Sequence, residues 1–491
     1  MKKLTNFYSY DNFFIVLFIC IIIWGSLGTK YIPFSELNLL NENYSSTLYD
    51  VKIIINNLRY FAPIGLLIFL YFFKKKIKYS LFFDFITFTI FFTFLIGSYN
   101  LYYFNQNLID LFSNNDLLIT TGYVPKFIRD IMMCFYFIFT YLVLRILDKN
   151  ELYLFIKISF GFLIFSSLLT LMYAYREYIT NLKEYLYFTQ FLVNGELFGV
   201  PSIRSLGLSR NLFIIIIPIS LYYFFSREKK FKILYLLAII FLSFNIFQLQ
   251  SRTSLYSYYI YCFIIIAVLF YNKSYKGIVK SLFILILIPQ ILNITVPITK
   301  KYLINNTLEF KFPNSRISTM MPNNPSLSKK IDQMKMDNID DEKFYDENID
   351  EKINYLVVSE YSSGRITLWR KTLEIFKLKN NHKFNFLGFG PAADRYFLKE
   401  TVSNSFFYSL ISGGILGLVS TVIFYLYVTI NLSKFLIQKK KISEEILSYS
   451  LIFIIFYLLL RSLVESSFVM YGIDNIILFQ SIVYLKKFKI T

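Results

Sequence analysis

Apolar runs of about 18 or more residues recur from one end of this chain to the other, and they decide what it can become, because each is long enough to cross a bilayer as a helix. Of the 491 residues, 56% are hydrophobic and 20% aromatic. A water-soluble domain has no interior large enough for that much apolar surface. The runs predict an all-α integral membrane protein with twelve spans, at 13–33, 53–73, 80–100, 127–147, 152–174, 208–226, 231–249, 254–271, 278–298, 405–432, 444–464 and 468–485.

The loops between these runs alternate in charge. One set is short and rich in lysine, including Lys2 and Lys3, Lys74 to Lys76, Lys149, Lys229 and Lys230, Lys273 and Lys276, Lys439 to Lys441, and Lys486 and Lys487. The positive-inside rule places this set, and with it both termini, in the cytoplasm. The other set faces outward, and its largest member is the loop 299–404. The chain thus divides into a membrane region 1–298 with nine spans, the outer loop 299–404, and a membrane region 405–491 with three. Within the loop, the charge-rich stretch 335–352 reads as a solvated segment, because the glycine of a calcium loop is missing. The stretch "SGRITLWRKTLEIFKLKN" reads as an amphipathic helix with Ile366, Trp369, Leu373 and Phe376 on one face.

Several chemistries are disfavoured at once. The three cysteines, Cys20, Cys134 and Cys262, lie inside apolar runs and read as small core residues. A single histidine, His382, leaves no histidine metal cluster. The net charge of +19 is accounted for by lysine anchors at the membrane rather than by nucleic acid. The N-terminal Lys2 and Lys3 resemble the start of a signal peptide, but no small-residue cleavage site follows, so the first run is expected to stay as a helix. Gly413 and Gly417, at GxxxG spacing, read as a helix-packing surface. Gly388 and Gly390 read as a turn.

Arginine is distributed differently from lysine. Arg204, Arg210, Arg252, Arg365 and Arg461 stand at or near the outward ends of spans. Arg252 interrupts "LQSRTSLY", a connection too short for any ordinary loop purpose. A guanidinium stays charged when partly buried and offers a planar fork to phosphate, and an intramembrane charge is a functional hypothesis by default. Converging arginines fit a membrane carrier with a diphosphate, such as a polyprenyl-diphosphate-linked sugar, whose departure fixed cations would stabilise. No carboxylate pair of the DxD kind appears in "SELNLLNENYSSTLYD", which argues against a metal-dependent glycosyltransferase.

In that order along the chain stand "RSLGLSRN" (204–211), "SRTSL" (251–255), "SGRITLWRKTLEIF" (363–376), "LGFGP" (387–391), "NSFFYSLISGGILGL" (404–418) and "RSLVESSF" (461–468). The set resembles the O-antigen ligase family, which groups O-antigen ligases with O-antigen polymerases, and it covers residues 200 to 470. The resemblance implies a GT-C-type helical fold in the bacterial inner membrane and metal-independent transfer, without a cofactor, of a glycan from undecaprenyl diphosphate at the periplasmic face. The acceptor would be lipid A–core in a ligase, or the next lipid-linked repeat unit in a polymerase. It implies that Arg204, Arg252 and Arg365 hold the donor diphosphate. Arg210 is a further candidate, and Arg461, Asn404 and Trp369 are additional site positions. Many ligases carry a His-Asn pair where this chain has Ser403-Asn404, and serine is no base near neutral pH. Glu465, one turn after Arg461, and His382 are the substitutes considered, which favours a polymerase over a ligase. The main competing reading is a transporter or flippase for lipid-linked oligosaccharide, but no internal repeat of the kind such proteins carry is visible. A non-enzymatic scaffold is a third.

Overall fold

A computed structural model gives the fold. It describes residues 10–25, 62–74, 84–98, 100, 126–180, 207–226, 230–249, 251–271, 273–293, 295, 365–378, 382–391, 393–398, 402–437, 442, 445–465 and 472–487. Among them the regular structure is helical throughout and contains no strand. The helices are α1 (Tyr10–Gly25), α2 (Ala62–Lys74), α3 (Phe85–Ile90, widening into a π-turn at Phe91–Leu95), α4 (Lys126–Ile146), α5 (Lys149–Thr180), α6 (Leu208–Phe225), α7 (Lys232–Leu249) and α8 (Arg252–Tyr271). There follow α9 (Tyr275–Ser281, continuing through a π-turn at Leu282–Leu287), α10 (Arg365–Leu378), α11 (His382–Leu387), α12 (Ala393–Leu398), α13 (Ser405–Ile437), α14 (Ile446–Ser462) and α15 (Ile473–Lys487).

Among the described residues, six stretches are long and apolar enough to cross a membrane: Lys149–Met172, Leu208–Phe225, Lys232–Leu249, Thr253–Tyr271, Tyr275–Asn293 and Ser405–Phe435. Shorter apolar helices accompany them at Phe13–Gly25, Phe135–Ile146 and Ile446–Ser462. This is a multi-pass, all-helical membrane protein. The charge-rich stretch 335–352 lies outside the described residues.

Three helices make the centre. In α6 every residue from Leu208 to Ile217 is buried, and in α15 every residue from Ile473 to Tyr484 is buried. In α14 most residues from Ile446 to Ser462 are buried as well. Around them, α7, α8 and α9 turn Ile233, Leu237, Phe263, Phe270 and Phe283 outward. An apolar exterior of this kind fits lipid and not water. Cys20 and Cys262 are buried and free, as a core role requires.

The stretch 405–432 does not form the single straight span expected from its apolarity. Gly414 has φ 63 and ψ −153, a conformation essentially confined to glycine, and it breaks α13. Ser409 Oγ lies 2.7 Å from Thr421 Oγ1, and the Phe406 and Tyr425 rings are 4.9 Å apart. In a straight helix Ser409 and Thr421 would be about 18 Å apart. The chain therefore folds back on itself as a helical hairpin, with a short arm from Ser405 to Gly413 and a long arm from Ile415 to Ile437.

Glycines make the hairpin tip possible. A Cβ on Gly413 would fall within 3 Å of the Phe92 and Thr93 carbonyls, one on Gly388 within 3 Å of Ser412, and one on Gly97 within 3 Å of Gly390 and Ser412. Three backbones are thus in direct contact: the end of α3, the 388–390 turn and the hairpin tip. Phe389 N and Gly390 N donate to the carbonyls of Ile411 and Ser412 at 2.9 and 2.7 Å. Ser412 Oγ donates to Thr93 O at 2.6 Å, at the π-turn where the carbonyl ladder of α3 is displaced. The GxxxG spacing does permit close packing, but it packs the hairpin against itself and against α3.

The face of α10 also differs from expectation. Trp369 stacks on Phe407 of the short arm, with centroids 5.4 Å apart and planes at 16°, and Thr372 is buried beside it. Ile366 and Leu373 are 38% and 42% exposed. Packing follows the partner offered by the hairpin, which selects Trp369 and Thr372 over the wider apolar stripe. The side chain of Phe376 lies outside the described residues.

Candidate functional site

The site forms where the helices end. Asp474, in the first turn of α15, lies between two arginines. Its Oδ2 accepts a 2.6 Å hydrogen bond from Arg461 Nη1, and its Oδ1 is 3.0 Å from Arg210 Nη1. The latter is an ion pair out of hydrogen-bond alignment, since Oδ1 counts as unbonded despite the short distance. Arg461 Nη2 is bonded to Glu465, one helical turn further on. Glu465 Oε1 accepts from Thr253 Oγ1 at 2.8 Å and lies 3.8 Å from Arg365 Nη2. The result is a chain of alternating charge, Arg210–Asp474–Arg461–Glu465–Arg365, that joins α6, α15, α14 and α10 and ends in a cation at both extremities.

Helix ends add to that charge. The N-termini of α6, α8, α10, α13 and α15 all meet here: Ser209 bonds Ser254 at 3.1 Å, Thr253 reaches Glu465, Arg365 opens α10, and Asn404 Nδ2 donates to Leu463 O at 2.6 Å. Each N-terminus carries a partial positive charge of roughly half a unit and unsatisfied N–H groups. Some of these donors are already used. Asn404 Oδ1 accepts from Phe406 N at 2.8 Å and Phe407 N at 3.2 Å, capping α13. At α6 the capping position is Gly207, which provides no side-chain cap. An anion is the ligand such an arrangement favours.

The availability of each arginine now differs. Arg461 spends Nη1 on Asp474 and Nη2 on Glu465, so its fork is fully engaged. Arg210 spends Nε on Asn211 Oδ1 at 3.0 Å and turns Nη1 to Asp474. Its Nη2 is buried without a hydrogen-bond partner, on a side chain 9% exposed. That atom packs over Gly207, where a Cβ would stand 2.7 Å away.

Burial alone would push the Glu465 carboxyl up, but the Arg461 charge, the Thr253 hydroxyl and the Arg365 charge outweigh it and hold the group below its ordinary value. Glu465 is therefore ionised and a weak base.

The cluster is deep. Fifteen residues separate Arg461 from Ile446 and Arg210 from Phe225, about 22 Å in each case. The far end of the hairpin's long arm is about 33 Å from its tip by the same measure. Ser462, next to Arg461, bonds Tyr425, ten residues or about 15 Å down the long arm from Ile415, so the charges lie below the hairpin tip. Beside them is a cavity with about 50 Å³ of water-accessible room, lined among others by Thr93, Ser405, Ser409, Tyr425 and Asn475. Residues of α3, α4, α13 and α15 line it, and its surface is mostly apolar. Tyr425 bonds Ser462, next to Arg461, which places the cavity wall against the charged cluster.

Of the residues singled out in the sequence, the structure brings together Arg210, Arg365, Arg461, Glu465 and Asn404, with Trp369 one turn behind Arg365. Arg252 is placed by its backbone at the N-terminus of α8, next to Thr253; its side chain lies outside the described residues, as does all of Arg204. His382 opens α11, which packs against α13, and its side chain is likewise outside them. Trp369 has one face on Phe407, so it is packed and that face is closed to a sugar. Asp474 was missed. Its signal was present, a carboxylate inside the expected span 468–485, where an ionisable residue calls for a partner.

Comparison with family models, with curated proteins and with solved structures finds no match for this chain.

Proposed function

We propose that the chain is a membrane glycosyltransferase of the O-antigen polymerase and ligase type, with twelve spans in a GT-C-like arrangement in the bacterial inner membrane. In this reading the lysine-bearing ends and both termini face the cytoplasm and the arginine cluster opens to the periplasm. The donor is a glycan on undecaprenyl diphosphate, and the acceptor is a second lipid-linked glycan or lipid A–core. The observation that carries the proposal is the Arg210 guanidinium, buried where helix N-termini meet, with Nη2 uncommitted.

The chemistry follows from charge. When the acceptor hydroxyl attacks the anomeric carbon, the C–O bond to the diphosphate breaks and negative charge grows on the departing oxygen. Arg210, Arg365 and the helix ends are fixed before that moment, so they stabilise the charge without reorganising. Arg204 and Arg252 join them on the strength of the resemblance alone. Glu465, held ionised by Arg461, is a poor acceptor of the hydroxyl proton, which passes to the departing diphosphate. Its role is to hold Arg461 and Arg365, and the rate comes mainly from leaving-group stabilisation.

The test is reconstitution in liposomes with synthetic undecaprenyl-diphosphate oligosaccharide, without added metal, with and without lipid A–core, and with products read by mass spectrometry. A ladder of lengthened lipid-linked glycan identifies a polymerase, and transfer only with lipid A–core identifies a ligase. Arg210→Ala, still folded, should lose at least about a hundredfold in rate, the scale seen when a preorganised donor is removed. Equal product from wild type and Arg210→Ala would overturn the assignment.

A further inference from the structure

We propose that Asp474 is a positioning residue that limits how Arg210 can grip a phosphate; the inference rests on the anion-site reading above but not on glycan transfer. A guanidinium can hold phosphate bidentately along either of two edges, Nη1 with Nη2 or Nε with Nη2. In Arg210 both edges are half occupied. Asp474 Oδ1 faces Nη1 at 3.0 Å, and Asn211 Oδ1 takes Nε at 3.0 Å. What is left is Nη2, with no hydrogen-bond partner, seated over the bare Cα of Gly207.

Asp474 is itself immobilised. It is 2% exposed, stands in the first turn of a helix buried along most of its length, and is fastened to Arg461 at 2.6 Å. Arg461 is fastened in turn to Glu465. The carboxylate cannot swing aside when a ligand arrives. It therefore does two things at once: it withholds the full fork, and it sets a fixed negative charge beside the bound anion. A site built this way binds a phosphate-bearing group through a single directed donor and releases it readily. Such a compromise suits a group that must leave after each turnover. A carboxylate that merely stabilised the fold would have no such effect on affinity.

This makes a prediction whose sign is unusual. Removing the charge should strengthen anion binding. Purified full-length wild type, Asp474→Asn and Asn211→Ala would be titrated with inorganic pyrophosphate at constant ionic strength in detergent. Kd would be read by calorimetry and checked by the rise in unfolding temperature. Asp474→Asn removes the negative charge that holds Nη1 and opposes an incoming anion, so its Kd should fall about tenfold or more, the scale of one charge-assisted interaction. Asn211→Ala frees the Nε–Nη2 edge without disturbing the ion-pair chain and should shift Kd in the same direction. Asp474→Ser, which removes the same charge on a shorter side chain, is titrated alongside and keeps the test alive if Asp474→Asn does not fold. Adding Arg210→Gln to either variant should erase the gain. Unchanged or weaker pyrophosphate binding in a folded Asp474 variant would overturn the role of Asp474 while leaving the site itself in place. No pyrophosphate binding to any of the proteins would remove the anion site on which the inference stands.

Discussion

At the scale of single residues, Gly207 shows how closely backbone and charge are joined. It caps α6 with φ 65, and its missing side chain is what lets the Arg210 guanidinium fold over the helix end. Gly207→Ala would force an L-residue into the left-handed region, costing about 1–2 kcal/mol, and would push the guanidinium off its seat. The expected outcome is a modest fall in unfolding temperature together with a disproportionate loss of pyrophosphate binding. A drop in stability with unchanged binding would show that the seat is not what presents Nη2. Glu465 gives a second residue-level expectation. Its folded carboxyl lies below its ordinary value of 4.5, so its ion pairs stabilise the fold fully above that pH and lose their contribution as pH falls through the lower folded value. Glu465→Gln should destabilise at neutral pH and flatten the acid limb of a plot of unfolding temperature against pH. A variant whose acid limb matched wild type would mean the carboxylate titrates normally. These roles were only partly legible in the sequence. Arginines at span ends announce themselves by contrast with lysine, and Glu465 by its spacing from Arg461. Their order of engagement does not, because it depends on Asp474, which reaches them from a different helix.

At the scale of elements, the decisive feature is the broken α13. "SGGILG" within an apolar run reads equally well as a packing surface in one long span or as a turn between two arms, since hydrophobicity is the same in both. What separates them is a left-handed glycine wedged against the 388–390 turn, and that is a tertiary fact. The hairpin can be tested directly. In a background free of the native cysteines, Ser409→Cys with Thr421→Cys should cross-link under mild oxidation, because their oxygens are 2.7 Å apart. A continuous helix would hold the pair about 18 Å apart, beyond any disulfide. No cross-link in the folded protein would restore the single span. The hairpin also explains why α10 sits where it does. Its short arm supplies Phe407 to Trp369 and, through Asn404, is pinned to the end of α14, so Arg365 is delivered to Glu465 by packing at two points. The amphipathic character of α10 could be seen from spacing; which part of its face is buried could not, because the partner was hidden inside what looked like an ordinary span.

At the scale of the whole molecule, charge is segregated along the membrane normal. Several described lysines stand at one set of helix ends, with Lys149 opening α5, Lys232 opening α7, Lys273 between α8 and α9, and Lys486 and Lys487 closing α15, whereas Lys126 opens α4 at the end away from Arg145 and Lys371 and Lys377 lie on α10. The arginine–carboxylate chain occupies the opposite ends of α6, α8, α14 and α15. Lysine at a headgroup needs only water and anionic lipid near it, whereas the arginines are buried and held by carboxylates. The proposed function gives the two ends different jobs, anchoring at one and binding at the other. In the proposed reading the positive-inside rule orients the molecule, with the arginine cluster outward. The arrangement can be checked without knowing any substrate. In the cysteine-free background, Ser274→Cys lies in the lysine-rich connection between α8 and α9, and Ser46→Cys lies in the loop 34–52 that the alternation places outside. A membrane-impermeant maleimide added to intact spheroplasts should label Ser46→Cys and reach Ser274→Cys only after permeabilisation. The reverse pattern would turn the anion site toward the cytoplasm, where an external glycan could not reach it, and would defeat the transferase proposal whatever the arginines bind. Labelling at both positions before permeabilisation would mean an even number of crossings between them in place of the seven expected, so one of those seven stretches does not span. Because nothing in that result depends on catalysis, it separates the architecture of the molecule from the reaction assigned to it.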